Sequence, residues 1–368
     1  MHHLHGVVLA LTLCTWGWGG DAPLLLFGGI SPFGQAFRSS ARETLPACPV
    51  NAGIHMSAPG RGRARNGVAV VTGGNRGIGF EVCRQLANKG MSVLLTARDT
   101  SSGQRAVDRL RTEVGKGWID FQPLDVTDAA SIDRVGRYVE DEYGSCVALV
   151  NNAAIANKAK DAFTARAAKN LIDTNCYGAL HMSRRLLPQM APNGRIVMVS
   201  SRSAETSRFA ARLRPSLSAA AQSEEALRAL MEQYLGDVRS GRWTEGGWPS
   251  PGVSIPKPPF LDLPSDFNGR IHIRANELGV YLTSGAHHTS YCVSKAGMNA
   301  AARMLAQEMV GKTQKVYVNA CCPGWVQTSM AGPWAPSTVE QGAATPVYLA
   351  SQVMVSGSFF ADCQAIPW

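Results

Sequence analysis

From residue 66 onward, short apolar runs with strand character alternate with segments of helical periodicity. Parallel βαβ units produce that order, and few other architectures tolerate it. The expected strands are Gly67–Thr72, Ser92–Thr96, Ile119–Pro123, Val147–Val150, Arg195–Ser200, Lys315–Ala320 and Gly357–Phe360. Helices are expected to open near Gly77, Gly103, Ala129, Ala165, Tyr291 and Thr338. The fold class is therefore α/β, a single doubly wound domain over residues 66–368 with a seven-stranded parallel sheet. Its ligands should lie at the carboxyl ends of the strands, near the point where the winding reverses. A chain of 368 residues that is 45% hydrophobic can bury such a core, which excludes disorder throughout.

Two stretches interrupt the alternation. Within residues 219–243, Leu227, Leu230, Met231, Tyr234, Leu235 and Val238 recur at helical spacing behind Ser223 and two glutamates. That is an amphipathic helical insertion with an N-cap, and it should pack on the body of the domain. Residues 250–289 carry Pro251, Pro256, Pro258, Pro259 and Pro264 without sustained periodicity. They are far longer than the ~12–15 residues usual for a loop in a compact domain. Excising them rejoins Trp248-Pro249-Ser250 to Ser290-Tyr291, so they read as retained non-coding sequence or an alternative isoform.

Residues 1–65 differ again in composition and read as an N-terminal extension, disordered or not translated, with Met56 as the start or an alternative start. A signal or targeting segment is the competing reading, although histidines stand where Lys or Arg is usual. A secreted or membrane-associated binding protein led by this segment is a third. The apolar run Val7–Trp18 falls short of the ~20 residues a bilayer requires, so no stable membrane association is expected.

The first chemical signal is Thr72-Gly73-Gly74-Asn75-Arg76-Gly77-Ile78-Gly79, directly after the apolar strand and opening a helix. Alone, such a run is also an ordinary strand-to-helix turn. In this position its glycines let the backbone approach a pyrophosphate, whose charge then sits on the amides of the helix N-terminus. A Rossmann-type dinucleotide site follows. The second strand ends Leu95-Thr96-Ala97-Arg98, with arginine where an NAD site has an acid, and Arg76 lies in the turn itself. Two such cations suit the 2′-phosphate of NADPH, the alternative being two solvated surface arginines. Asp125, after the third strand, is placed to accept from an adenine amino group.

The second signal is Tyr291-Cys292-Val293-Ser294-Lys295, whose Tyr and Lys share one face of a helix. By itself the pair is also a half-buried Tyr beside a snorkelling Lys. Downstream of a glycine turn it has a chemical use, because a nearby ammonium favours the phenolate and brings the phenol toward a working range.

With these motifs, and with Asn151-Asn152-Ala153-Ala154, Asn175, Ser200-Ser201 and Cys321-Cys322-Pro323-Gly324-Trp325-Val326, the chain resembles the short-chain dehydrogenase/reductases, and among them the monomeric NADPH carbonyl reductases. The likeness runs from Met56 to Trp368 apart from residues 250–289, and Ala154 stands where the family motif usually ends in glycine. It implies that Tyr291 protonates the product oxygen, Lys295 holds the nicotinamide ribose and lowers the Tyr291 pKa, Ser201 binds the substrate carbonyl and Asn175 holds a relay water. It implies that Asn151 lies beside the cofactor ribose and that Pro323, Gly324 and Thr328 frame the nicotinamide, with Val126, Ala153 and Val326 completing the cofactor site. Trp325 walls the substrate pocket or belongs to the core, and Cys322 lines the pocket or is an inert buried thiol.

The expected function is NADPH-dependent reduction of ketones, aldehydes and quinones by a cytoplasmic monomer. The alternative is a non-catalytic NADPH-binding isoform inactivated by residues 250–289. The nine scattered cysteines have no metal-ligand spacing, so no metal is expected, and they suit a reducing compartment. The net charge of +9 is read as attraction for small anions and not for nucleic acid, since no basic block exceeds the Arg61, Arg63, Arg65 alternation.

Overall fold

The computed structural model describes residues 67–115, 117–157, 163–249, 286–333 and 335–368. Readings that concern residues 1–65 and 250–285 lie outside them. In chain order the elements are β1 (Val68–Thr72), α1 (Gly77–Asn88), β2 (Val93–Ala97), α2 (Thr100–Glu113), β3 (Ile119–Pro123), α3 (Ala129–Tyr143), β4 (Cys146–Asn151), α4 (Ala165–Ile172) and α5 (Gly178–Leu186). Then come β5 (Met190–Val199), α6 (Arg214–Ala220), α7 (Glu224–Arg239), α8 (Ala286–Glu308), β6 (Val316–Cys322), α9 (Val339–Ser351), β7 (Phe359–Ala361) and β8 (Gln364–Ile366).

Neighbouring residues of each central strand enter opposite cores, as the pleat requires. Val68 and Val70 of β1 join Leu94, Leu149, Ile196 and Met198 on the face covered by α3, α4, α5, α7 and α8. Ala69 and Val71 join Val93, Leu95, Val150 and Val197 on the face covered by α1, α2 and α9. Both sides are apolar, which is why these strands read as continuous hydrophobic runs.

The sheet order is β3-β2-β1-β4-β5-β6-β7-β8, so the winding reverses between β1 and β4. This corrects the expected seven parallel strands: among the described residues there are eight, and β8 pairs antiparallel with β7. A two-residue turn joins them, with Asp362 at φ +49° and Cys363 at φ +60°. Both are left-handed, as a tight hairpin needs, but neither is the glycine that would signal it.

Local chemistry also moves helix starts. Asp99 caps α2 by accepting from the Ser102 amide, so the helix begins at Thr100 and not at Gly103. The helical insertion is two helices, α6 from Arg214 with Pro215 in its first turn, and α7 capped by Ser223. All the apolar positions expected to pack, from Leu227 to Val238, are buried. Helix α8 opens at Ala286, so the last residues assigned to the second insertion form the first turn of this helix. There the Thr289 hydroxyl donates to the Pro249 carbonyl at 2.8 Å. Pro249 and Thr289 thus lie side by side, and the cost of closing a loop between two such points grows only logarithmically with its length.

Candidate active site

Strand β1 ends at Thr72, and the chain turns through Gly73–Arg76 into α1. Gly77 has φ +57°, and at Gly79 a Cβ would lie 2.4 Å from both the Gly73 carbonyl oxygen and Asn152 Nδ2, so hydrogen alone fits. Arg76 is the N-cap residue but makes no side-chain cap, and the first turn of α1 holds no acid. The leading amides of α1 are left for an outside anion, beside a backbone that approaches closely. These residues fit a dinucleotide pyrophosphate.

A cleft of about 610 Å³ runs from this turn across the carboxyl ends of the strands. Gly73, Asn75, Arg76, Gly77, Ile78 and Gly79 line it, as do Arg98, Asp125, Val126 and Ala153. At the other end it reaches Tyr291, Lys295, Pro323 and Thr328. Arg76 and Arg98 are both solvent-exposed at its rim. Burial tends to raise the Asp125 carboxyl, but hydrogen bonds from the Thr127 hydroxyl and amide and the Arg98 charge outweigh it and hold it below its usual value. Asp99 also lines this end, yet its carboxylate is engaged by Ser102, which holds it low.

The sequence reading places Asn151 beside the cofactor, and the structure turns it away. Its buried amide donates to Ser183 Oγ at 2.9 Å and to Met198 Sδ at 3.4 Å, inside the core. The next residue points the opposite way along the strand. Asn152 lines the cleft, and its Nδ2 donates to the Thr72 and Gly73 carbonyls at 2.9 and 3.1 Å. The Asn152 and Ala153 amides both donate to Thr72 Oγ1. Asn152 thus braces the glycine turn, a role hidden in the sequence because a doubled asparagine does not tell which side chain faces in.

Helix α8 brings Tyr291 and Lys295 to the inner end. Lys295 is buried, its Nζ donates to the Val199 carbonyl at 2.8 Å, and it lies 5.8 Å from the Tyr291 ring centroid. Burial pushes this lysine down to about 8. Burial pushes the Tyr291 phenol up, Cys322 and Cys292 add to the rise, and only a hydrogen bond with the Ser201 side chain opposes it. The lowered phenol expected from the lysine is not what the protein supplies: desolvation dominates, and the lysine nitrogen is turned to a backbone carbonyl. Tyr291 is held protonated at neutral pH.

The two serines after β5 divide their tasks. Ser200 Oγ is buried and donates to the Lys295 carbonyl at 3.3 Å. The Ser201 hydroxyl meets Tyr291 and accepts from the Ser203 amide and hydroxyl at 3.1 and 2.9 Å. Asn175 sits in a π-turn, Asp173–Tyr177, between α4 and α5. Its Nδ2 donates to the Ile155 carbonyl and Ser294 Oγ, and its Oδ1 accepts from the Ile155 amide at 2.8 Å. Asn175 is fully buried and does not itself line the cleft.

Beyond β6 the picture is mixed. Pro323 and Thr328 line the cleft, whereas Gly324, Trp325, Val326 and Cys322 do not. Val326 is buried against Gly342 of α9 and pairs with Ser337, so its side chain belongs to the core. Trp325 is 37% exposed, which removes it from the core. Cys322 is buried, burial raises its thiol, and it accepts from the Gly324 amide. That is the inert reading. Ser329 and Met330, which no motif marks, line the cleft instead. Among the described residues no cluster of side chains could hold a metal.

The doubly wound sheet, the glycine turn at its switch point and the pair of a half-buried Tyr291 and a buried Lys295 define a Rossmann-type oxidoreductase. The short chain dehydrogenase profile matches residues 67–213, and one described as enoyl-(acyl carrier protein) reductase matches 279–348. Carbonyl reductase (NADPH) 1 of Mus musculus is 34% identical over 313 residues, which cover 82% of this chain and 98% of that enzyme. Its Homo sapiens counterpart is 36% identical over 289 residues, covering 77% and 90%. Salutaridine reductase from Papaver somniferum superimposes with a TM-score of 0.63 at 26% identity, over 80% of this chain and 99% of that one. The chain belongs to the short-chain dehydrogenase/reductase family.

Proposed function

We propose that this protein reduces ketones, aldehydes and quinones to alcohols with NADPH, as a cytoplasmic monomer. The observation that carries the reading is one cleft with two arginines at its outer end and a protonated Tyr291, met by Ser201 and one helical turn from Lys295, at its inner end. When bound, NADPH supplies the hydride. The amides of Gly77–Gly79 hold its pyrophosphate, Arg76 and Arg98 take the 2′-phosphate, and Asp125 accepts from the adenine. Lys295, charged below about pH 8, lines the same cleft and would hold the nicotinamide ribose with the ammonium hydrogens not given to the Val199 carbonyl. Tyr291 and Ser201 donate hydrogen bonds to the carbonyl oxygen as charge gathers there, and the Tyr291 proton passes to that oxygen. Ser294 joins the Asn175 amide to the Tyr291 backbone and keeps the helix in register with the relay.

Met330, exposed and lining the cleft near Pro323 and Thr328, offers apolar surface for the substrate. For the monomer, the support is α7, which covers α4 and α8 and is pinned by Tyr234 to Ser290 at 2.7 Å. For the compartment, no described helix is long and apolar enough to cross a membrane. The organisation proposed is residues 66–368 as the catalytic domain, with 1–65 an extension and the segment after Pro249 an insertion.

The test is NADPH oxidation with menadione by the chain from Met56, by its Tyr291→Phe variant, and by a form in which Ser250 joins Thr289 directly, which keeps the contact to Pro249. Turnover by the first and third, lost in Tyr291→Phe, supports the reading. Turnover by the third alone means that the insertion blocks this chain. NADPH binding without turnover in either sinks the assignment.

A further inference from the structure

Behind the segment that carries Ser201 lies a second, small cavity of about 20 Å³, bounded by Ala204, Thr206, Ala296, Asn299, Arg303 and Trp368 among others. That is room for about one water. Asn299 lines it, 6% exposed, with its Oδ1 unpartnered. Packed side chains would hold the back of the Ser201 segment by many dispersion contacts, and a void forfeits them on that side. Helix α8 packs against residues 202–204, but the void leaves the Thr206 side of the segment without that packing, and a further contact must hold it there.

Trp368 does so. Its main-chain oxygen accepts from Thr206 Oγ1 at 3.0 Å. Its own placement is over-determined: Nε1 donates to the Gly357 carbonyl at 3.1 Å, the ring packs on Phe359 with centroids 5.6 Å apart, and the Arg303 guanidinium lies 5.5 Å over it. From Thr206 back to Ser201 the chain is a run of tight turns, with the Ala204 amide donating to the Ser201 carbonyl and the Glu205 amide to the Arg202 carbonyl. A displacement of Thr206 is thereby passed to the hydroxyl that meets Tyr291.

We propose that Trp368 is a positioning residue that latches the Ser201–Thr206 segment across this cavity and so sets the distance between the Ser201 and Tyr291 hydroxyls. The proposal rests on the carbonyl-reductase reading. Misplacing a donor by about 1 Å can lower a rate by up to about a hundredfold, so the latch should appear in kcat and not in cofactor binding.

The test compares Trp368→Ala, Trp368→Phe and Thr206→Val with the unaltered chain for menadione kinetics, NADPH affinity and amide exchange. In Trp368→Ala we expect kcat to fall about tenfold or more with NADPH affinity within about twofold, a split a general loss of folding would not give. Exchange at the Ala204, Glu205, Arg208 and Phe209 amides should rise about tenfold. Trp368→Phe, which keeps an aromatic ring for Phe359 and Arg303 but loses the bond to the Gly357 carbonyl, should restore most of both. Thr206→Val removes the bond from the other side without touching the core ring, and should reproduce a smaller part. Unchanged exchange at those amides in both Trp368→Ala and Thr206→Val overturns the latch, as does a fall in kcat matched by equal losses of NADPH affinity and melting temperature. If the unaltered chain binds NADPH yet reduces no carbonyl, the functional reading fails, while the exchange result still judges the latch.

Discussion

The glycine-turn end of the cleft and the Tyr291 end are built from different kinds of structure. The first is backbone: a turn of a few residues between β1 and α1, clamped by Asn152 from the neighbouring strand, where one Cβ at Gly79 would meet atoms at 2.4 Å. The second is a meeting of side chains from remote segments, the π-turn at Asn175, Ser201 after β5, Tyr291 and Lys295 on α8, with a cavity behind one of them. A backbone site should fail at single atoms, and a side-chain site should fail by removal or displacement of a group.

The largest effect expected is at the side-chain end. Tyr291→Phe should lower kcat about a thousandfold with NADPH affinity unchanged, as measured by turnover and by fluorescence titration. An equal loss of cofactor binding would show the two ends to be one unit. Gly79→Ala should act in the opposite sense, weakening NADPH about a hundredfold, with about 1–3 kcal/mol lost in a denaturant titration. A normal Kd in that variant would mean that the turn is softer than its packing suggests.

Arg98→Ala refines the comparison, because it removes a charge and leaves the backbone intact. NADPH affinity should fall by about 2 kcal/mol, roughly thirtyfold, while NADH affinity hardly changes. The smallest effect is with pH. Lys295 is held down to about 8, so it is charged below that value and loses its proton above it. The kcat/KM for NADPH, which reports the free enzyme, should decline as pH rises past about 8, with no matching limb from Tyr291, whose phenol burial pushes the other way. A limb near the ordinary lysine value would place the ammonium in a wetter setting.

The apolar runs and the helical stripe Leu227–Val238 were legible because burial of both sheet faces, or of one helix face, imposes a period on the sequence. The β8 hairpin was not, because Asp362 and Cys363 adopt left-handed backbone without a glycine to announce it. Asn151 and Asn152 were not separable either, since the period of a strand says that neighbours point apart but not which one faces the cleft. The Tyr291 phenol carried a sequence signal for its place and a misleading one for its pKa: spacing brings a lysine near, and only burial decides which influence wins.

By itself, the sequence determined the doubly wound α/β fold, the glycine turn at its switch point and the pairing of Tyr291 with Lys295, because each depends on local geometry or on a repeat of hydrophobicity. Tertiary structure alone decided that Asn152 braces the turn, that Val326 packs in the core, and that Trp368 accepts a hydrogen bond from Thr206 behind the Ser201 segment. These are contacts between residues far apart in the chain, settled by which atoms fill the same space and which are shut off from water, and neither quantity has a period that can be read along the chain.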